Sequence, residues 1–163
     1  MTKPIIWEAP DSIKKKSKLT QFLKHCNVSN YDDLEKKSFS DPGWLWDNVI
    51  KFSDLKFYNP YKKILDETKG APWSKWCVGG TTNIVLNCVD RHKDKDFFKE
   101  TFIYSEREDG RENSITYEEF DKQISKVGNS LKINGFKKGD VIALYLPQFI
   151  ETYIAYFAIL KIG

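Results

Sequence analysis

The stretch that most constrains the fold of this chain is residues 139–163. Residues 141–146, Val-Ile-Ala-Leu-Tyr-Leu, form a continuous apolar run between the turn sequence Lys-Lys-Gly-Asp and Pro147. Such a run predicts a strand that is buried on both faces, as in a parallel sheet. Residues 148–162 are apolar on almost every side, which predicts a helix packed between layers. A strand and a buried helix begin a βαβ unit, so we expect a second parallel strand beyond Gly163 and a larger protein.

The segments before this unit predict further alternation of strands and helices. Residues 97–105 and 112–115 have the pattern of a hairpin with a charged, glycine-containing turn between them. Residues 116–119, Thr-Tyr-Glu-Glu, are a capping box that opens a helix ending at Gly135. Gly128 in the middle of this helix indicates a close backbone contact, since glycine there costs about 1 kcal/mol relative to alanine. The order of elements predicts an α/β fold with a mainly parallel sheet.

The N-terminal part predicts a layer of small helices that is rich in aromatic residues. Apolar spacing predicts helices over residues 17–26 and 31–37, and Asp41 followed by Pro42 predicts the start of a third. The five tryptophans all lie in the first half of the sequence. We therefore divide the chain into a helical segment, residues 1–60, and the beginning of an α/β domain, residues 61–163, which we expect to be incomplete.

Composition argues against several classes of partner. The net charge of +3 is too small to indicate a nucleic-acid-binding protein, and we expect no nucleic-acid partner. No segment has the length and apolarity of a membrane span or a signal peptide, so we expect no membrane partner. The three cysteines are too few and too scattered for a secreted disulfide framework. These features predict a cytoplasmic protein with reduced thiols.

The small residues at 79–82, Gly-Gly-Thr-Thr, are one candidate for a phosphate-binding loop. A Walker loop requires a lysine followed by serine or threonine, and neither follows here. The flanking residues are apolar as well. We therefore favour a structural turn over a phosphate site.

Residues 81–92 contain the remaining candidates for chemistry, and their pattern fits a strand or a helix equally well. Cys88 and His92 could meet on one helix face, but two ligands do not make a zinc site. Asp90 and Arg91 could form a buried ion pair or contact another domain, and the structural role is favoured. No convincing pair of nucleophile and base is present. The residues alone therefore identify no catalytic, cofactor-binding or metal-binding side chain.

Three segments together resemble the AMP-forming short-chain acyl-CoA synthetases, a group of adenylate-forming enzymes that includes acetyl-CoA synthetase. Residues 76–92 are similar to the family signature Trp-Phe-x-Gly-Gly-x-x-Asn followed by Asn-Cys-Leu-Asp-Arg-His, with Cys77 in place of the phenylalanine. Residues 115–147 resemble the run Thr-Tyr-x-x-Leu through Gly-Asp-x-Val to Tyr-Met-Pro. Residues 151–163 resemble the helix that ends in Arg/Lys-Ile-Gly, and residues 40–46 resemble Asp-Pro-Glu-x-Phe-Trp.

The resemblance implies a ligase that joins a carboxylate to CoA through an acyl-adenylate, with ATP, magnesium and CoA as cofactors of the full-length enzyme. It also implies that residues 81–92 are helical. The opening residues are similar to the acetoacetyl-CoA branch as well, so the acyl group stays open. The phosphate loop of the family, Gly-Thr-Thr-Gly-x-Pro-Lys-Gly, is absent from this sequence. Asn87, Asp90 and Arg91 match the family motif as structural groups, so no catalytic residue is carried over and we expect the chain alone to be inactive.

Two other classes of function are consistent with the sequence. The chain could be a non-catalytic subunit of a split synthetase, completing its sheet with the C-terminal part as a separate chain. It could instead be an interaction module that binds another protein through an exposed sheet edge and the tryptophan-rich layer. Soluble monomeric behaviour would favour the module, whereas solubility only on co-expression would favour the split enzyme. A gene remnant is a further alternative.

Overall fold

The computed structural model describes residues 6–163. Its contacts divide the chain into two compact units. One unit contains the residues up to Leu55 together with Pro60–Gly80, and the other contains Lys56–Asn59 and Thr81–Gly163. The domain boundary predicted between residues 60 and 61 stays a prediction.

The first unit consists of short helices and one antiparallel hairpin. The elements are α1 (Asp11–Lys16), α2 (Lys18–His25), α3 (Tyr31–Ser40), α4 (Pro42–Phe52), β1 (Lys63–Asp66) and β2 (Lys75–Val78). In the hairpin, Leu65 lies opposite Trp76. The side chains of Phe22 and Phe52 join α2 to α4 in an edge-to-face contact with ring centres 5.2 Å apart.

Local capping signals place the starts of three of these helices. The side chain of Ser17 accepts a hydrogen bond from the Thr20 amide, and Asn30 caps α3 in the same way. Asp41 accepts from the Trp44 amide at 2.8 Å, and Pro42 occupies the first helical position of α4. Each cap satisfies a backbone N–H that has no partner within its helix. The three helices predicted for the N-terminal part are thereby confirmed.

The second unit combines a hairpin with two long helices. The elements are α5 (Ile84–Cys88), β3 (Thr101–Glu106), β4 (Glu112–Thr116), α6 (Tyr117–Ile133) and α7 (Ile150–Ile162). Single 3-10 turns follow α5 at Asp90–His92 and precede β3 at Asp96–Lys99. The strands are antiparallel, as predicted, but β3 begins at Thr101 because the residues before it form the 3-10 turn.

The core of the second unit lies between α5, α6 and α7. Its buried side chains are Val85, Val89, Phe98, Phe120, Ile124 and Ala158. The predicted capping box of α6 is present in full, with Thr116 and Glu119 exchanging hydrogen bonds. Gly128 is buried where α6 meets α7, and a Cβ placed there would lie 3.5 Å from Ile162 Cγ2 and 3.6 Å from the Ala158 carbonyl oxygen. The backbone of α7 does lie next to this glycine, but the approach is not so close that it requires glycine, because a Cβ would fit there at ordinary contact distances.

The strand predicted over residues 141–146 is wrong for this chain. These residues belong to no β-ladder, and both sheets in the described part are two-stranded and antiparallel. A strand is defined by its backbone partners, and residues 6–163 supply none at this position. For the same reason the mainly parallel sheet is not formed. The following helix begins at Ile150 instead of residue 148, and its Tyr153 and Tyr156 side chains are half-exposed, so it is covered on one side only.

No helix within residues 6–163 is both long enough and apolar enough to span a bilayer.

Candidate functional site

The motif at residues 83–92 folds into α5 and the 3-10 turn, and Asn83 fixes its beginning. The Asn83 Oδ1 accepts a hydrogen bond from the Val85 amide at 2.8 Å. The Asn83 Nδ2 donates to the Leu160 carbonyl oxygen at 2.6 Å. Asn83 therefore caps α5 and at the same time ties it to the last turns of α7.

Asn87 binds the backbone of a residue far away in sequence. Its Oδ1 accepts from the Lys56 amide at 2.8 Å, and its Nδ2 donates to the Lys56 carbonyl oxygen at 3.0 Å. The same Nδ2 lies 3.0 Å from Thr82 Oγ1. The side-chain amide thus makes the pair of hydrogen bonds that a neighbouring strand would make, and no polar atom of it is left for a ligand.

Asp90 belongs to a cluster of four charged side chains that joins the 3-10 turn to α6 and α7. Lys93 Nζ lies 2.9 Å from Asp90 and 3.0 Å from Asp121. Lys161 Nζ lies 3.1 Å from Asp90 and 3.0 Å from Asp121. We call Asp90, Lys93, Asp121 and Lys161 the ion cluster. Its two positive and two negative charges balance, so it offers no net charge to a ligand.

The environment of the ion cluster favours the charged forms of its members. Burial raises the pKa of Asp90, but hydrogen bonds from Lys93 and Lys161 outweigh it and hold the pKa below its usual value. Burial lowers the pKa of Lys93, and the hydrogen bonds to Asp90 and Asp121 more than offset this, so the pKa is raised. Both pKa shifts mean that the ionised form is favoured, the carboxylate of Asp90 and the ammonium group of Lys93. Neither is the shift expected of a general acid or base that works near neutral pH.

The Gly-Gly-Thr-Thr turn does not fit a phosphate group. The Gly80 amide donates to the Cys77 carbonyl oxygen at 2.8 Å, and the Thr81 amide donates to Asn59 at 2.9 Å. The Thr81 hydroxyl oxygen accepts from Asn59 Nδ2, and the Thr82 hydroxyl donates to the Lys56 carbonyl oxygen. A phosphate cradle needs free amides and hydroxyls. Here the Gly80 and Thr81 amides and the Thr82 hydroxyl donate to acceptors within the protein, so the turn does not form such a cradle.

His92 and Cys88 do not form part of a metal site. The His92 ring contacts Phe97 and Tyr117, with ring centres 5.3 Å and 6.4 Å apart. Burial, together with the neighbouring Arg91 charge, lowers the pKa of His92. Nowhere in the described part of the chain do three His, Cys, Asp or Glu side chains come together in a group that could hold a metal ion.

Sequence reasoning missed one arrangement, the cleft around Arg107. The Arg107 guanidinium lies over the Phe149 ring, 4.2 Å from its centre, and its Nε is buried without a hydrogen-bond acceptor among the described residues. The cleft is about 510 Å³ in volume and also contains the side chains of Glu119 and Glu151. No sequence pattern marks it, because Arg107 and Phe149 lie far apart in the chain.

Two models of known protein families match this chain. The family model described as "AMP-binding enzyme" matches residues 87–163, and the one described as "Acetyl-coenzyme A synthetase N-terminus" matches residues 31–88. The chain belongs to the AMP-binding enzymes. The resemblance found in its sequence motifs is thereby confirmed.

Relatives among the AMP-binding enzymes match most of this chain but only a small part of their own. Acetyl-coenzyme A synthetase from Chlorobaculum tepidum is 34% identical over 137 residues, which are 84% of this chain and 20% of the relative. The enzyme of the same name from Methanothrix soehngenii is 32% identical over 162 residues, which are 97% of this chain and 24% of the relative. The chain thus spans about a fifth to a quarter of the length of these relatives, in their N-terminal portion.

The fold agrees with that of a solved acyl-CoA synthetase. Acetoacetyl-CoA synthetase from Streptomyces lividans superimposes with a TM-score of 0.83 at 20% sequence identity, covering 96% of this chain and 25% of that one. The predicted fold class, a helical aromatic-rich layer followed by the first elements of the α/β domain of an adenylate-forming enzyme, is therefore confirmed. In this context the polar groups of the motif at residues 83–92 hold the elements of the second unit together.

Proposed function

We propose that this chain forms the N-terminal portion of an acid–thiol ligase that converts a short-chain carboxylate, ATP and CoA into acyl-CoA, AMP and diphosphate. Its similarity to enzymes named acetyl-coenzyme A synthetase over more than four-fifths of its length supports this proposal. Acetate is the first candidate substrate, from the names of the relatives. Acetoacetate is the second, from the name of the solved synthetase.

The observation that carries the proposal is that the polar groups of the family motif are bonded to other groups of this chain. Asn83, Asn87 and the ion cluster are engaged in hydrogen bonds and salt bridges between elements of the second unit. The Gly80 and Thr81 amides and the Thr82 hydroxyl are likewise bonded within the protein. We therefore assign to this portion a scaffolding role. The sites for ATP, magnesium and CoA would lie in the remainder of the ligase, and this chain alone would have no ligase activity.

The proposed partner is that remainder, present in the same polypeptide or as a separate chain of a split enzyme. Cytoplasmic localisation belongs to the same proposal. Cys26, Cys77 and Cys88 are all free thiols, which suits a reducing compartment.

A chimera tests the proposed function. The N-terminal portion of the Chlorobaculum tepidum synthetase that matches this chain is replaced by the chain itself, and carboxylate-dependent exchange of pyrophosphate into ATP is measured. We expect exchange by the chimera, none by the relative without its N-terminal portion, and none by the 163-residue chain alone. A chimera that melts cooperatively but does not exchange would contradict the proposal. Acyl-adenylate formation by the chain alone would contradict the scaffolding role.

One observation favours an interaction module as the second candidate function. Trp46 and Trp76 form an edge-to-face pair with ring centres 6.1 Å apart, and both side chains remain about half exposed. Exposed tryptophans are common in protein-binding surfaces. A monomeric chain that binds another protein through these rings, and does not restore the chimera, would favour the module.

A further inference from the structure

We propose that the cleft around Arg107 binds a free α-amino acid with an apolar side chain. Arg107 binds the carboxylate of the amino acid, and the carboxylates of Glu119 and Glu151 attract its ammonium group. The cleft lies within the second unit, between the β3–β4 hairpin, α6 and the beginning of α7. It is separate from the family motif at residues 83–92, so the site is independent of the proposed ligase activity.

Arg107 supplies a positive charge that no described side chain neutralises. Its guanidinium lies over the Phe149 ring, and its Nε is buried without an acceptor among the described residues. The carboxylate of Asp109 on the same turn pairs with Arg111 instead, whose Nε lies 2.8 Å from it. Because Nε is buried, the two terminal nitrogens of Arg107 are the donors that can meet a ligand. A carboxylate matches such a pair of parallel N–H donors, and a charge-assisted bond is stronger than a neutral one.

The two glutamates of the cleft make it unsuitable for a simple anion. The Glu119 carboxylate accepts hydrogen bonds from the Thr116 amide and hydroxyl, and these bonds lower its pKa, so it is ionised at neutral pH. Glu151, in the first turn of α7, is exposed and forms no salt bridge with a described residue. With one arginine and two glutamates, the lining has a net charge of −1. It repels a phosphate ion, whereas a zwitterion meets both signs of charge.

The rest of the lining suits the hydrocarbon part of a small ligand. Ile115, Phe149 and Ile154 line the cleft and are only partly buried, so a ligand can cover them. Contact with these side chains removes apolar surface from water, which favours an amino acid whose own side chain is apolar. The volume of about 510 Å³ lies within the range of roughly 300–1,000 Å³ that is usual for small-molecule sites.

Titration with L-leucine tests this site. Binding to the ¹⁵N-labelled 163-residue chain is followed by NMR at low ionic strength. Two analogues are titrated beside it, 4-methylpentanoate, which lacks the ammonium group, and 3-methylbutylamine, which lacks the carboxylate. We expect saturable binding of leucine with the largest shifts at residues that line the cleft. Each analogue should bind at least about tenfold more weakly, because it leaves one sign of charge without a partner.

Two variants connect the binding to the charges of the cleft. Arg107→Gln and Glu151→Gln should each weaken the binding of leucine, the first by at least about tenfold. The matched control is Arg111→Gln, which removes an arginine of the same hairpin that pairs with Asp109 and does not line the cleft. It should bind leucine like the wild-type chain. Thermal melting checks that every variant is folded, and Glu151→Gln, at an exposed position, provides the test if Arg107→Gln is not.

Three results would overturn the amino-acid site. The first is the absence of saturable shifts with leucine. The second is equal affinity for leucine and 4-methylpentanoate, which would mean that the cleft binds carboxylates in general. The third is unchanged binding of leucine by folded variants of Arg107 or Glu151.

Discussion

Asn87 and Lys56 are 31 residues apart in sequence, yet the side-chain amide of one binds both backbone polar groups of the other. The Asn87 Oδ1 accepts from the Lys56 amide, and the Nδ2 donates to the Lys56 carbonyl oxygen, at 2.8 Å and 3.0 Å. This pair of bonds attaches the segment Lys56–Asn59 to the second unit. Only asparagine and glutamine carry a donor and an acceptor side by side in this way.

Replacement of Asn87 by alanine should therefore destabilise the chain. The Lys56 amide and carbonyl oxygen each lose a hydrogen bond from Asn87, while the carbonyl oxygen keeps the one from the Thr82 hydroxyl, and the loss of such a bond typically costs about 0.5–1.5 kcal/mol in the free energy of unfolding. Urea denaturation followed by circular dichroism measures the change. Asn129→Ala, at an exposed position on α6, is the matched control and should stay within about 0.5 kcal/mol of the wild type. Equal stability of the two variants would show that the tie to Lys56 is unimportant.

The tie between Asn87 and Lys56 marks the limit of what the sequence could predict. Elements with local signals were predicted well, because a cap or a turn is decided by residues three or four positions apart. The capping box at Thr116 and the Asp41–Pro42 start are examples. The bonds of Asn87 to Lys56 and of Lys161 to Asp90 join distant segments. No spacing rule predicts these long-range bonds. The sequence therefore showed the family motif but not the distant groups that its polar side chains bind.

The wrong strand at residues 141–146 has a related cause. The apolar pattern is that of a strand, and in the structure Val141 and Tyr145 are more exposed than Ile142 and Leu144. The pattern does not supply the partners that turn an extended segment into a strand. Sequence alone also left residues 81–92 open, because the region is a five-residue helix followed by a single 3-10 turn, too short for periodicity to decide.

The ion cluster should make stability depend on pH at both extremes. Since the pKa of Asp90 lies below its ordinary 3.8, its contribution is complete above pH 3.8 and is lost as the pH falls through the lowered value. Since the pKa of Lys93 is raised above 10.5, its contribution is complete below pH 10.5 and is lost as the pH rises through the raised value.

Lys161→Met tests this dependence, because it leaves Asp90 and Asp121 with Lys93 alone. We expect a loss of about 1–3 kcal/mol in the free energy of unfolding at neutral pH, with the difference from the wild type shrinking below pH 3.8. Denaturant titrations across the acid range measure it. The control, Lys122→Met, removes an exposed pair with Glu118 and should have little effect. A difference that is constant through the acid range would exclude Asp90 as its source.

Gly128 is predicted to accept alanine with a gain in stability. A Cβ at this position would meet Ile162 and Ala158 at ordinary contact distances, 3.5 Å and 3.6 Å. Alanine should therefore add about 0.5–1 kcal/mol through its helix propensity, while leucine should cost about 1–3 kcal/mol by overpacking the contact between α6 and α7. Thermal and urea unfolding check both. Gly135→Ala is the control and should lower the stability, because the φ of +91° at Gly135 strains any residue with a side chain.

Tyr61 should titrate far above an ordinary tyrosine. Burial, reinforced by the hydrogen bond that its hydroxyl donates to Asp47, raises the pKa of Tyr61 to about 12. The folded chain then keeps this proton between pH 10 and 12 while the unfolded chain loses it, since the ordinary value is 10.0. Stability from this group is therefore complete below pH 10 and falls as the pH rises towards 12.

The variant Tyr61→Phe isolates this titration. The difference in tyrosinate absorbance between wild type and variant should be a single transition with a midpoint near 12, moving to about 10 in denaturant. Circular dichroism over the same range confirms that the chain stays folded. At neutral pH the variant should lose about 1 kcal/mol, because Asp47 keeps its bond from Lys51 but loses the one from the hydroxyl. A midpoint near 10 in the folded chain would mean that the hydroxyl of Tyr61 is exposed to solvent and not bound to Asp47.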